Sequence, residues 1–176
     1  MSGPRIPLPT DPSVPKYGTP VDHAVADFAG TAMRQRHLDP VVTELVRLRC
    51  ARVHDCRLCR SVRDVDAVDD LDEATAAKID AWPTSDLPDR AKAALRLTDA
   101  VILDPASAGP DLRAEVRRHF SEAEIAELLL DVVKWSQQKA SVALRIEVPP
   151  RDGLSELRFD DAGQASVGSA LSPPGP

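Results

Sequence analysis

Hydrophobic positions recur at helical intervals through most of the chain. Val42, Val46, Cys50 and Val53 repeat every three or four residues, and Asp39 before Pro40 supplies an N-cap and a proline at the first helical position. The pattern predicts a helix over about 40–53. His54 and Asp55 interrupt it, and Asp55 reads as the cap of a second helix whose first turn holds Cys56 and Cys59. Asp70 with Glu73 resembles a capping box before a short helix ending near Trp82 and Pro83. Ala91, Leu95, Thr98, Val101 and Ile102 predict a helix over about 88–103, ended by "DPASAGPD". "DLRAEVRRHF" follows as a shorter helix. Ser121 with Glu124 then forms a capping box before a long apolar helix that runs from Ile125 to Ile146 and stops at Pro149 and Pro150. Almost nothing alternates with period two, although "LRIEVPP" could be extended. The fold class predicted is all-α.

Composition sets the boundaries. Of 16 prolines, six fall within residues 1–20 and five within 149–176. The chain therefore reads as a flexible proline-rich N-terminal tail over 1–16, one helical domain over 17–150, and a flexible C-terminal tail over 151–176. The formal charge of −6 argues against a nucleic-acid footprint, and no long apolar run suggests a membrane span. "MSGPRIPLPTDPSVPKYG" lacks the apolar core of a secretory signal, so the expected location is the cytoplasm, a reducing compartment.

That setting gives weight to "HDCRLCRSVR", where two of the three cysteines stand two residues apart. With Asp55 as cap, the sulfurs of Cys56 and Cys59 share one helical face near its positive end, and Arg63 lies at i+4 from Cys59. A nearby cation lowers an acid's pKa, so the local sequence favours a reactive thiolate. Two other readings are open and a third is excluded. Cys50, His54, Cys56 and Cys59 could ligate zinc, but structural zinc ligands usually come as two separated pairs and Cys50 falls on an apolar stripe. Haem attachment needs His where Arg60 stands. Both cysteines could also simply be buried.

"TELVRLRCARVHDCRLCRSVR", with "AALRLTDAVI" and "SEAEIAELLLDVVKW" followed by "ALRIEVPP", resembles the carboxymuconolactone decarboxylase and alkylhydroperoxidase D (AhpD-like) superfamily over about residues 20–150. Peroxidase members carry a Glu, eleven residues, CxxC, three residues and a His. Glu44, Cys56 and Cys59 match that spacing. The resemblance implies an AhpD-like helical bundle assembling as a trimer or a multiple of one, and a peroxidase that reduces hydroperoxides through a redox-active dithiol. It implies Cys59 as the attacking thiol, Cys56 as the resolving one and Glu44 as a proton-relay carboxylate, with no cofactor and with an unidentified dithiol as reductant.

Arg63 is the departure, since it stands where that superfamily has His. A guanidinium holds a thiolate but does not relay protons at neutral pH. His54, two residues before Cys56, is the nearest substitute base, or else a turn histidine. Glu44 could simply pair with Arg47 at i+3. His37 and His119 fit surface roles near helix ends, and Trp135 fits core or interface. The alternative to a peroxidase is a redox-inactive or redox-sensing scaffold that has lost the relay. Lactone decarboxylation would leave the dithiol without a role.

Overall fold

The computed structural model describes Arg5 and residues 20–171. Apart from Arg5, the expected N-terminal tail lies outside the described residues, as do residues 172–176. Helices α1 (Pro20–Met33), α2 (Pro40–Val53) and α3 (Arg57–Arg60) lead into a short strand β1 (Val62–Asp64). Then come α4 (Glu73–Ala77), a 3-10 segment (Lys78–Thr84), α5 (Asp89–Leu103), a 3-10 turn (Pro105–Ser107), α6 (Pro110–His119), α7 (Glu122–Ser136) and α8 (Gln138–Leu144). Strands β2 (Ser155–Phe159) and β3 (Ala165–Ala170) end the described chain.

Helix α2 is the spine because it carries two apolar stripes. Val42, Val46 and Cys50 face a core shared with Leu97 of α5, Val116 of α6 and Leu128 and Val132 of α7. Leu45 and Leu48 face a second core with Leu71, Ile79, Leu87 and Leu95. A helix buried on two sides leaves little surface for charge, so Glu44 and Arg47, on the remaining face, are buried as well. The caps of α2 and α7 are those expected: Asp39 accepts from Val42 N at 2.9 Å, and Ser121 and Glu124 bond reciprocally.

Three local expectations are corrected. Asp55 does not cap the second helix; it takes a left-handed conformation (φ 54°), which ends α2, and Cys56 is the N-cap of α3. The cap of α4 is Asp72, not Asp70: its carboxylate accepts from Thr75 N at 2.7 Å while Leu71 turns into the core. The long final helix is divided at Gln137 into α7 and α8, and Arg145 in a left-handed conformation (φ 57°) closes α8.

The all-α expectation is also corrected: the fold is mostly helical, with a three-stranded sheet in the order β1-β2-β3. β1 runs parallel to β2, with Val62 opposite Ser155 and Asp64 opposite Leu157, and β2 pairs antiparallel with β3. The segment expected as a C-terminal tail thus supplies two strands. In β2, Ser155 and Leu157 turn inward while Glu156 and Arg158 turn out. Asp160 nucleates the connecting turn by accepting from Ala162 N at 2.9 Å and Gln164 N at 2.8 Å. Gly163, at φ 74°, lies so close to α1 that a Cβ there would stand 2.1 Å from the Gly30 carbonyl oxygen. Arg34 Nη1 donates to the Ala162 carbonyl at 2.8 Å and holds the turn on α1.

Candidate functional site around Cys56 and Cys59

The end of α2, the left-handed turn at Asp55 and the single turn of α3 bring the CxxC pair against the buried face of α2. Cys56 and Cys59 are joined as a disulfide, with Cα atoms 5.3 Å apart. Cys56 is 0 % exposed, whereas Cys59 is partly exposed. The third cysteine, Cys50, is free and buried in the core, and burial pushes its thiol up to about 12. At neutral pH it stays an inert thiol.

Beneath the pair lies an ion pair that reaches its backbone. Arg47 Nε and Nη2 bond bidentately to Glu44 at 2.6 and 2.7 Å, with both side chains almost wholly buried. Nη1 donates to the Cys59 carbonyl at 2.7 Å, and Nη2 also donates to the Val62 carbonyl at 2.7 Å. Burial disfavours the charge on Arg47, but the Glu44 carboxylate more than offsets it and the guanidinium's pKa is raised. Glu44 Oε1 also accepts from Asp64 N at 3.3 Å, so one carboxylate organises α2, α3 and β1. The i+3 pairing of Glu44 with Arg47 is therefore present.

His54 caps the C-terminus of α2, and among the described residues neither ring nitrogen has a hydrogen-bond partner. Burial, helped by the charge of Lys139, lowers its pKa to about 4, so the ring is neutral at pH 7. Arg57, next to Cys56, bonds Glu147 at 2.8 Å. Burial works against the Glu147 charge, yet the hydrogen bond from Arg57 holds its carboxyl below the usual range.

Arg63 is not on the helical face of Cys59. Helix α3 ends at Arg60, so Arg63 falls in β1, where it is buried and bonds Glu73 at 2.6 and 2.7 Å. Its Nη1 donates to the Arg60 and Val62 carbonyls at 3.0 and 2.8 Å. The placement at i+4 on a shared helix is corrected for this reason, and a guanidinium bonded to the pair's backbone is that of Arg47.

Trp135 of α7 connects the sheet to this site. Its ring lies 6.1 Å from that of Phe159 in β2, with the Arg47 guanidinium 6.0 Å from its centroid. Lys134 Nζ stands 3.6 Å over the Trp135 ring. Sequence reading brings out Cys56, Cys59, Glu44 and His54 but misses the contact of Arg47 with Cys59, whose only trace is the charged i, i+3 pair of Glu44 and Arg47. Among the described residues no three His, Cys, Asp or Glu side chains are grouped to hold a metal ion, and no helix is long and apolar enough to cross a membrane.

No protein-family model matches the chain. Two uncharacterized proteins of Mycobacterium tuberculosis, from strains CDC 1551 / Oshkosh and ATCC 25618 / H37Rv, are each 42% identical to it over 144 residues. The match covers 80% of this chain and 51% of each relative, so the chain spans about half the length of the curated relatives it matches. A crystal structure of a protein of unknown function from Agrobacterium tumefaciens, provisionally named an antioxidant defence protein AhpD, superposes with a TM-score of 0.63 at 21% identity. It covers 77% of this chain and 95% of that one. At that identity the likeness is one of fold: the chain shares the mostly helical fold of that AhpD-like protein, and it carries a CxxC pair.

Proposed function

We propose that the chain is a thiol-dependent peroxidase-like oxidoreductase that reduces hydroperoxides with the Cys56–Cys59 dithiol. The observation that carries this reading is the pair itself: two cysteines joined as a disulfide, one sealed in and one partly exposed, on an AhpD-like fold. The partly exposed Cys59 suits the attacking role and the sealed Cys56 the resolving role. The Cys59 thiolate attacks the distal oxygen of the hydroperoxide, the O–O bond breaks, and the leaving alkoxide takes a proton to become an alcohol. The Cys59 sulfenic acid condenses with the Cys56 thiol, which releases water and leaves the disulfide. An external dithiol then reduces the disulfide and is itself oxidised.

In this reading Glu44 acts through Arg47, whose hydrogen bond to the Cys59 carbonyl fixes the loop that presents the nucleophile. His54, neutral and unpartnered, is the proton carrier in place of the family histidine. Arg63 keeps the site's floor in place through Glu73. A homo-oligomer, a trimer in the expectation from the fold family, is supported by Leu129, Leu130 and Val133, exposed together on α7. The scaffold reading also has an observation behind it, because Arg63 at the family's relay position is tied up by Glu73 and two carbonyls.

Thiol titration separates the two. Fully reduced protein treated with one equivalent of hydrogen peroxide should lose two thiols per chain and keep Cys50. Retention of all three thiols until prolonged excess peroxide would favour the scaffold.

A further inference from the structure

A second site lies behind the dithiol, on the far side of Asp64. The last turn of α1, the start of α2, β1 and the face of α7 enclose a cavity of about 30 Å³, room for one or two small polar groups. Asp64, Asp66, Glu127 and Asp131 line it, together with Thr43 and the apolar Met33 and Leu38. Two of these carboxylates have partners already: Glu127 accepts from His37 N at 2.6 Å, and Asp64 accepts from Asp66 N at 3.1 Å. Asp131 is different. It is 2 % exposed, lines the cavity, and among the described residues receives no hydrogen bond and makes no ion pair.

A buried carboxylate without a donor costs several kcal/mol if ionised, so it either holds a proton or meets a cation from outside. We propose that this pocket binds the ammonium group of methylamine or an amine of like size, with Asp131 as its counter-ion and Met33 and Leu38 against its methyl group. An ammonium carries three donors and matches a carboxylate wall with a hydroxyl at Thr43. A divalent metal is disfavoured because no three of these acids are grouped to ligate one among the described residues. Arg36, which also lines the pocket, is largely exposed and leans toward Asp66 at 3.9 Å.

The charges around Asp131 determine how binding responds to pH. On its own helix stand Glu127 and Lys134; Arg36, Asp64 and Asp66 approach from the end of α1 and from β1, and the uncharged Cys50 thiol from α2. Burial, with Glu127 adding to it against Lys134 and Arg36, pushes the Asp131 carboxyl up to about 7. Lys134, whose pKa burial lowers, stands with its Nζ 3.6 Å over the Trp135 ring, and among the described residues it forms no ion pair with Asp131. An alkylammonium, protonated up to about pH 10, binds the ionised carboxylate, so below pH 7 binding must expel one proton.

Titration calorimetry of the full chain with methylammonium chloride, in a buffer free of other amines, tests this inference independently of any peroxidase activity. Saturable one-to-one binding is expected, with Kd on the order of 1 mM. Affinity should fall about tenfold per pH unit below pH 7 and level off above it. Potassium and tetramethylammonium at the same ionic strength should bind at least tenfold more weakly. Asp131→Asn should abolish binding while the helical circular dichroism is kept. Absence of saturable binding, affinity independent of pH in the unaltered chain, equal binding of potassium, or undiminished binding by Asp131→Asn would each overturn the proposal.

Discussion

Arg47→Met is the most informative single perturbation of the dithiol site. The side chain lengths are comparable, so little volume changes, but the Glu44 carboxylate, 1 % exposed, loses its bidentate partner. Removing one member of a buried ion pair costs about 3–5 kcal/mol, because the remaining charge is left in a low-dielectric interior. The Cys59 carbonyl also loses its donor, at roughly 1–3 kcal/mol if nothing replaces it, whereas the Val62 carbonyl keeps the one from Arg63. Against a total stability of about 5–15 kcal/mol this is a large fraction, and Tm should drop by roughly 10 °C or more. Urea and thermal melts followed by circular dichroism measure it. The double substitution Glu44→Leu with Arg47→Met removes both charges and should recover most of the loss, giving a large coupling in the double-mutant cycle. It should not recover peroxide-dependent thiol loss, because the Cys59 carbonyl is still unanchored. If Arg47→Met costs less than about 1 kcal/mol, or the double variant is no more stable than the single, the buried pair is not the strut described here.

Other consequences can be checked alongside. Arg63→Ala should lower stability by roughly 1–3 kcal/mol through loss of the Glu73 pair and two carbonyl contacts, yet leave the pH profile of thiol oxidation unchanged; a profile shifted to higher pH would restore Arg63 as the thiolate's cation. The folded pKa of His54 is depressed, so its contribution to stability is present above pH 6.5 and is lost as pH falls toward 4. His54→Gln should flatten the urea midpoint over that window, and an equally steep fall in the variant would refute the assignment. Gly163→Ala forces a side chain into a left-handed turn and against the Gly30 carbonyl, so hydrogen exchange in residues 155–170 should quicken while α2 and α5 are unaffected. Light scattering should give a multimer. A 19.0 kDa monomer at micromolar concentration would remove the interface reading of Leu129, Leu130 and Val133.

The helices were legible because each of their signals is local. Asp39-Pro40 and the Ser121–Glu124 box act within one turn, and the stripe Val42, Val46, Cys50 needs only a periodicity of 3.6. The sheet was not legible for the opposite reason. β1 is three residues long, too short to show alternation, and is a strand only because β2, about ninety residues later, satisfies its backbone. The hairpin did leave a trace: "SELRF" alternates around Leu157, and the turn at Asp160–Gly163 has the residues such turns need. Its small, polar third strand, "ASVGSA", has the composition of a tail, and composition alone does not reveal that Phe159 has Trp135 to pack on. The same contrast runs through the site. The CxxC spacing and the Glu44 interval are sequence properties, whereas the position of Arg63 depended on where α3 stops. A four-residue helix ending at Arg60 turns an i+4 neighbour into a strand residue paired to Glu73. The guanidinium bonded to Cys59, through its carbonyl, is instead that of Arg47, because the buried face of α2 lies beneath Cys59. This is also why Arg47, rather than Arg63, is the guanidinium whose removal should alter the dithiol.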